Sequence, residues 1–387
     1  MIQASPSEAQ SVSELVQRLR ALAVQTLARM YLPDQQLFAF RLRKSGPDEV
    51  LEGVSPRYTA TALIGLAGED PSVVKEVLGG HSLDDVCSNL LDHVEQTDDV
   101  GEVALTTWSA RMLHHTRESV GLKALRAAQP GQRPYCTVEL AWALTALAID
   151  ESGGDMAQAE TVAQSLLTAF QEESCLFRRW PEGSVVAKLP EFVNGLGDRL
   201  PGLRTHVSCF ADFVYPVQAL SYYHKATGDA RAAEVATRCA ERMCQLQGPE
   251  GQWWWHFDIR TGRVIERYPV YSVHQDSMAP MALLALTDAT GRDYLPAIEK
   301  GLRWLQNPPE KTGSLIDSER NLIWRKVARR GPGKMIRGMQ AAASCLHPRM
   351  RAPGVDTFFP PVCVDYETRP YHMGWILHAW PSGQMRR

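Results

Sequence analysis

The chain has 387 residues, 44% of them hydrophobic and 22% charged, with a formal net charge of −3. That is apolar material enough for one large core or two smaller ones, and the near-neutral balance excludes the strong basic excess of a nucleic-acid binder. Met1–Val16 has neither the basic nor the apolar region of a secretory signal, and the most apolar stretches, Val138–Ile149 and Met278–Leu286, are too short to span a bilayer.

Helix formers dominate. The first predicted helix is capped by Ser13 and carries Leu15, Leu19, Leu22, Leu27 and Met30 near helical spacing. Further helices are predicted at Arg57–Ala67, Leu83–Glu95, Val100–His115, Thr137–Ile149 and Met156–Phe170. The second half adds Ser208–Lys225, Arg231–Gln247, Gln275–Ala289, Leu295–Gln306, Met335–Leu346 and Pro370–Trp380. About a dozen helices fit six hairpins, an array that grows by adding units. No linker or low-complexity segment divides the chain, so one domain is expected over residues 1–387. The eight cysteines include no Cys-x2-Cys pair and read as small buried hydrophobes, which makes a cytoplasmic protein the expectation.

Four segments between helices resemble one another: Leu37–Arg41, Cys175–Trp180, Gln252–Phe257 and Asn321–Arg325. Each is a short aromatic or apolar extended piece after a polar turn, and the last three recur roughly every 70 residues, as an array of supersecondary units would space them. A single hairpin cannot bury its own apolar face. Closing the array into a ring lets the inner helices pack around a central cavity, so the expected fold is all-α, an (α/α)6 toroid with short β-hairpin turns.

Polar and aromatic residues concentrate at Gln247–Pro280. A hairpin turn at Arg260–Arg263, with Gly262 free to take positive φ, would pair Trp253–Ile259 with Arg263–Tyr268. Strand alternation then places Trp254, His256 and Asp258 on one face. Tyr271, His274 and Asp276 follow at the next helix entry, where the helix N-terminus favours anions. Tyr268 ends the second strand. A second cluster, Asp365–His372, surrounds another helix start, with Pro370 suited to the first helical position. It offers Glu367, Arg369, Tyr371 and His372. In a closed ring it would lie near Arg57 and Tyr58, as part of a site or as an Arg–Glu latch between the chain ends.

Smaller candidates are Glu139 with Trp142, Asp212 with Tyr215, and Asp99 with Glu102 and Trp108. Carboxylates beside aromatic rings suit sugars, whose hydroxyls need acceptors and whose C–H faces stack on rings. Asp99 and Asp212 also read as helix caps. The basic run Arg325–Arg337 reads as a solvated face or an attractor of polyanions. No ligand set has metal spacing and no dinucleotide, phosphate-loop or nucleophile-elbow fingerprint occurs, so no metal or cofactor is expected.

The hairpin array resembles the six-hairpin glycosidase superfamily, toroids that include glycoside hydrolases, polysaccharide lyases and N-acylglucosamine 2-epimerases. Trp253–His274 also resembles the C-terminal helical domain of glucuronyl C5-epimerases, in the order of aromatic strand, glycine turn, tyrosine strand and histidine-bearing helix start. Gln247–Trp253 is similar to the Gln-x3-Gly-x-Trp turn of toroidal terpene cyclases, but their Asp-x-Asp-Asp motif is absent. These resemblances imply a carbohydrate-active enzyme working on a small-molecule or glycan substrate by hydrolysis, elimination or epimerisation at a sugar ring. The catalytic candidates are then His274, Asp258, Tyr271, His256, Asp276, Glu367 and His372. The substrate-binding candidates are Trp254, Arg57, Tyr58, Tyr268, Arg369 and Tyr371. A terpenoid cyclase-like enzyme and a non-catalytic helical-repeat binding protein are the alternatives. A sugar site should show converging carboxylates and donors, a terpene site a nearly uncharged aromatic pocket, and a scaffold neither.

Overall fold

The computed structural model describes residues 11–149, 155–181, 205–311, 313–347 and 349–382. Among them are fifteen α-helices: α1 (Val12–Met30), α2 (Pro56–Leu66), α3 (Pro71–Val77), α4 (Leu83–Val94), α5 (Val100–Met112), α6 (Glu118–Ala128), α7 (Thr137–Ala148), α8 (Met156–Thr168), α9 (Ala211–Thr227), α10 (Ala230–Leu246), α11 (Ala279–Thr290), α12 (Leu295–Gln306), α13 (Gly333–Leu346), α14 (Val355–Phe358) and α15 (Pro370–Ala379).

Six of these form a closed inner ring. Helix α2 packs on α5, α5 on α7, α7 on α9, α9 on α11, α11 on α15, and α15 returns to α2. The outer members are α1, α4, α6, α8, α10 and α12, each preceding an inner helix in the chain. Burial separates the layers: 11 of the 13 residues of α5 are buried, against Gly121 and Leu125 alone in α6. An outer helix needs one apolar stripe, whereas an inner helix is apolar all round. The fold is an (α/α)6 toroid.

Ring closure depends on two glycines. A Cβ on Gly65 of α2 would lie 2.2 Å from the Gly374 carbonyl oxygen of α15, and one on Gly374 would lie 2.3 Å from the Thr61 carbonyl oxygen. The first and last inner helices therefore touch backbone to backbone. The ends are also joined by β-pairing, since Glu367–Thr368 runs antiparallel to Leu37–Ser45 with Glu367 opposite Arg43 and Thr368 opposite Leu42.

Three of the four repeated extended pieces follow hairpin ladders, whereas Gln252–Trp255 lies outside the strands. Tyr31–Leu32 pairs with Leu37–Phe38, Phe170–Gln171 with Leu176–Phe177, and Ile316–Asp317 with Leu322–Ile323. Each turn ends on a left-handed residue: Gln36 (φ 50°), Cys175 (φ 56°) or Asn321 (φ 53°). These small ladders carry the chain from an outer helix to the start of an inner one, so the N-terminal ends of the inner helices share one rim.

Several elements differ from the sequence reading. Ser11, not Ser13, caps α1, in a capping box with Glu14. Helix α6 was not expected. It has no side-chain cap and contains Gly121, whose Cβ would sit 2.7 Å from the Thr107 hydroxyl of α5. Conversely, the expected Met335–Leu346 helix (α13) is not a ring member and packs on the Arg263–Glu266 strand. The six-hairpin count therefore holds with one outer helix exchanged. The short α3 and α14 were also not expected. Ser208 lies in the strand Val207–Cys209, with α9 beginning at Ala211, and a π-helical turn, His274–Met278, precedes α11.

Candidate functional site

The rim at the N-terminal ends of the inner helices collects most of the polar residues singled out above. Its first half spans α2, α5, α7 and α9. Arg57, in the first turn of α2, pairs with Asp99, the N-cap of α5, and reaches Glu139 at the start of α7 at 3.6 Å. Burial pulls the Arg57 guanidinium down, but Asp99 and then Glu139 outweigh it and the net shift is upward. The same guanidinium lies 5.8 Å from the centre of the Trp142 ring, which meets Tyr215 of α9 edge-on at 5.2 Å. Arg57 Nε and Trp142 Nε1 are buried donors without a partner in the described structure. Asp212, in the first turn of α9, accepts the Cys209 N–H at 2.8 Å. Its burial pushes the carboxyl pKa up, against the opposing pull of Arg179. Asp99 and Asp212 thus both bond backbone N–H groups at helix starts, as capping residues do.

The second half is the seam where α11 and α15 meet. His274, Gln275 and Asp276 sit in the π-helical turn, a distortion frequent at functional sites. Pro280 has no N–H to offer the carbonyl four residues back, that of Asp276, and Trp380 Nε1 donates to that oxygen at 2.7 Å. An Asp-x3-Pro sequence also opens α9, as Asp212 and Pro216. The Asp276 carboxylate receives the His372 Nε2–H at 2.8 and 2.9 Å, both side chains being buried. His274 Nδ1 lies 3.2 Å from the Trp253 carbonyl oxygen. A carbonyl can only accept, so Nδ1 carries the proton and Nε2 the lone pair. Burial lowers the His274 pKa to about 3, which keeps the imidazole neutral. Trp255 stacks on its ring at 5.3 Å, and Phe210 at 4.5 Å and Tyr271 at 5.0 Å lie tilted against it.

An arginine cluster joins this seam to the chain start. Glu367 accepts from Arg325 at 2.6 Å, Arg369 at 2.9 Å and Arg41 at 3.0 Å. Arg325 also lies 5.2 Å from the centre of the Tyr271 ring. Arg369 donates to the Tyr58 hydroxyl at 2.9 Å and covers Phe40 at 4.5 Å. Tyr58 in turn packs on Tyr371 at 4.7 Å. Burial raises the Tyr371 pKa to about 12, against the pull of Arg325, so its hydroxyl stays protonated.

The structure therefore brings Tyr271, His274, Asp276 and His372 into one seam, with Glu367, Arg369, Tyr371 and Tyr58 beside it and Arg57 across the rim. It does not bring Asp258, Trp254 or Tyr268 there. Asp258 is fully buried and held by its own turn, accepting from Arg260 at 2.7 and 3.0 Å. Trp254 stands edge-on to Tyr268 at 6.0 Å, and Tyr268 donates to Glu310 at 3.0 Å. His256 is buried in the strand His256–Asp258, its ring 5.6 Å from Trp255. The ladder begins only at His256, leaving Trp253–Trp255 outside it, and its bulge puts the extra residue, Ile265, in the facing strand. Alternation extended back to Trp253 therefore selects Trp254, whereas Trp255 is the ring that reaches His274. Arg325, Arg41, Phe40 and Phe210 were also not foreseen as neighbours of the site. In the sequence Arg325 belongs to the basic run Arg325–Arg337. Among the described residues no group of three or more His, Cys, Asp or Glu side chains is placed to hold a metal ion.

No protein-family model matches the chain, and no curated protein matches its sequence. Solved structures do match its fold. An unsaturated glucuronyl hydrolase specific for heparin superposes with a TM-score of 0.58 at 14% identity, covering 94% of this chain and 95% of its own. A sugar epimerase from a ruminal bacterium gives 0.57 at 10% identity, covering 95% and 97%. The unsaturated glucuronyl hydrolase of Bacillus sp. GL1, responsible for glycosaminoglycan degradation, gives 0.55 at 10% identity and 94% of each chain. At such identities the likeness is one of fold.

Proposed function

We propose that this toroid is a carbohydrate-active enzyme whose sugar substrate binds at the N-terminal rim of the inner helices, within one domain formed by the chain. The observation that carries the reading is chemical. Consecutive inner helices bring carboxylates, arginines, two histidines and aromatic rings to one rim, where a sugar's hydroxyls and C–H faces would find partners. A terpenoid cyclase would call for a nearly uncharged pocket, and a passive scaffold for no such convergence. The solved toroids of similar shape whose names state an activity, two unsaturated glucuronyl hydrolases and a sugar epimerase, support the same reading.

Within it, proton transfer at a sugar carbon is the favoured chemistry, as in epimerisation or elimination. His274 is neutral, with Nε2 as the lone-pair nitrogen, and a substrate carboxylate bound beside it would raise its basicity from the value burial sets toward that needed to take a proton from the neighbouring C–H. His372 is oriented by Asp276, and the protonated Tyr371 is a donor for the return step. Arg325 and Arg369, partly neutralised by Glu367, would stabilise the developing oxyanion. Glycosidic hydrolysis is the second reading, favoured by the raised Asp212 carboxyl, which resembles a general acid.

The test is incubation with a panel of uronate-containing and neutral oligosaccharides in deuterated and in ¹⁸O-labelled water. Epimerisation puts deuterium on carbon, elimination creates a C=C double bond, and hydrolysis puts ¹⁸O in the new hydroxyl. His274→Gln and His372→Gln should each lower turnover at least about a hundredfold, the usual scale for an acid or base, with an unchanged circular dichroism spectrum. Full activity in both variants would remove the seam from the chemistry. Binding of no sugar would return the protein to the scaffold reading.

A further inference from the structure

From Arg320 to Val355 the chain contains nine Lys and Arg residues and no Asp or Glu, although its overall net charge is −3. Four of the nine, Arg320, Arg325, Lys326 and Arg329, pair with acids from other segments. Arg330, Lys334 and Arg349 are exposed and make no side-chain ion pair among the described residues.

This segment, continued to Phe358, carries the three most exposed large apolar side chains of the described structure, Leu346 at 82%, Phe358 at 76% and Met335 at 54%. It also holds Met350 at 48% and Met339 at 42%. On α13, Met335, Met339 and Leu346 share one face with the half-buried Ala342 between them, while Ile336, Gln340, Ala341 and Ser344 face inward. The helix is anchored through Ser344, whose hydroxyl meets His206 Nε2 at 2.8 Å and whose carbonyl accepts from Arg260 at 2.8 Å. The outward direction of the apolar face is thus set by the fold. Met350, in the turn after α13, and Phe358, at the end of α14, are exposed in the same stretch of chain.

We propose that the α13–α14 segment docks this protein on an anionic lipid surface. Charge selects the occupant. A second copy would oppose two net-basic faces across a twofold axis, which repel, since Asp356 is the one acid of α13–α14 and pairs with Arg329. Shape points the same way. The apolar groups stand out from three separate stretches of chain, and a protein partner would need a matching pocket for each. A bilayer interface takes such protrusions without pockets, while basic residues beside them meet lipid phosphates. No helix of the described structure is long and apolar enough to cross a membrane, so this contact would be peripheral. The inference does not depend on the chemistry at the rim.

The experiment is flotation of the full chain with vesicles of phosphatidylcholine alone and of phosphatidylcholine containing phosphatidylglycerol. Wild type should float with the anionic vesicles only, and added salt should release it. Arg330→Glu combined with Lys334→Glu and Arg349→Glu should weaken partitioning by about a hundredfold or more, from roughly a fivefold effect per basic residue lost. Leu346→Ser with Phe358→Ser should weaken it by about tenfold or more. These side chains lie outside the core, and thermal melts check that each variant folds. Failure of wild type to float with anionic vesicles, equal flotation with neutral ones, or unchanged binding of the serine variant would each overturn the proposal. So would a tight wild-type dimer in solution that Leu346→Ser dissolves.

Discussion

His274 shows how burial sets the state of a single side chain. Its pKa falls from 6.5 to about 3, and that of His378 falls to about 4, also through burial. Below the ordinary histidine range the unfolded chain binds these protons and the folded chain does not. Stability is therefore complete above about pH 6.5 and is lost as pH falls toward the folded values, by about 1.4 kcal/mol per pH unit for each histidine. Urea unfolding at a series of pH values should show this decline, and His274→Gln should flatten it by about one proton. An unchanged slope would mean that His274 titrates normally. At the same scale, His372 and Asp276 satisfy each other in the core. Asp276→Asn should cost about 1–3 kcal/mol by weakening a buried charge-assisted bond. The double variant with His372→Gln should cost less than the sum of the two single changes.

Among the elements, the turn between outer and inner helix is the recurring unit. Two-residue ladders with four-residue turns place a left-handed residue before each inward-facing apolar pair, at Gln36, Cys175 and Asn321. A non-glycine residue there costs roughly 1–2 kcal/mol, and asparagine tolerates the conformation better than most. Gln36→Gly should therefore raise the urea midpoint by the equivalent of about 1 kcal/mol, and Asn321→Gly by less. These turns were legible in the sequence because a polar turn followed by an apolar pair is a local pattern. Helix α6 was not legible. It has no side-chain cap, and Gly121 looks like a helix breaker until its close approach to Thr107 supplies the reason for it.

For the whole molecule, closure is the decisive contact. Gly374→Ala would drive a methyl group into the Thr61 carbonyl at 2.3 Å, and backbone cannot step aside as a flexible side chain can. A loss of about 3 kcal/mol or more is expected, at the upper end for overpacking. Gly338→Ala on α13 is the matched control. Nothing lies within 4 Å of its added Cβ, so it should stabilise by about 0.5–1 kcal/mol through helix propensity alone. Equal effects of the two changes in urea titrations would show that ring closure does not depend on this crossing.

Periodicity, turn chemistry and the apolar character of the inner helices are properties of neighbouring residues, so the toroid was readable from the chain itself. So was the clustering of His274 with Asp276 and of Glu367 with His372, because each pair lies at a single helix start. The tertiary structure alone decided which of these clusters meet. The His372–Asp276 bond, the Arg41–Glu367 pair and the contact of Tyr58 with Tyr371 join residues 96 to 326 positions apart. Trp255 and not Trp254 covers His274 because the strand begins only at His256, so the alternation of a ladder does not run back through Trp253–Trp255. Which residues face each other across the rim depends on ring closure, and closure rests on a glycine contact between helices at opposite ends of the chain.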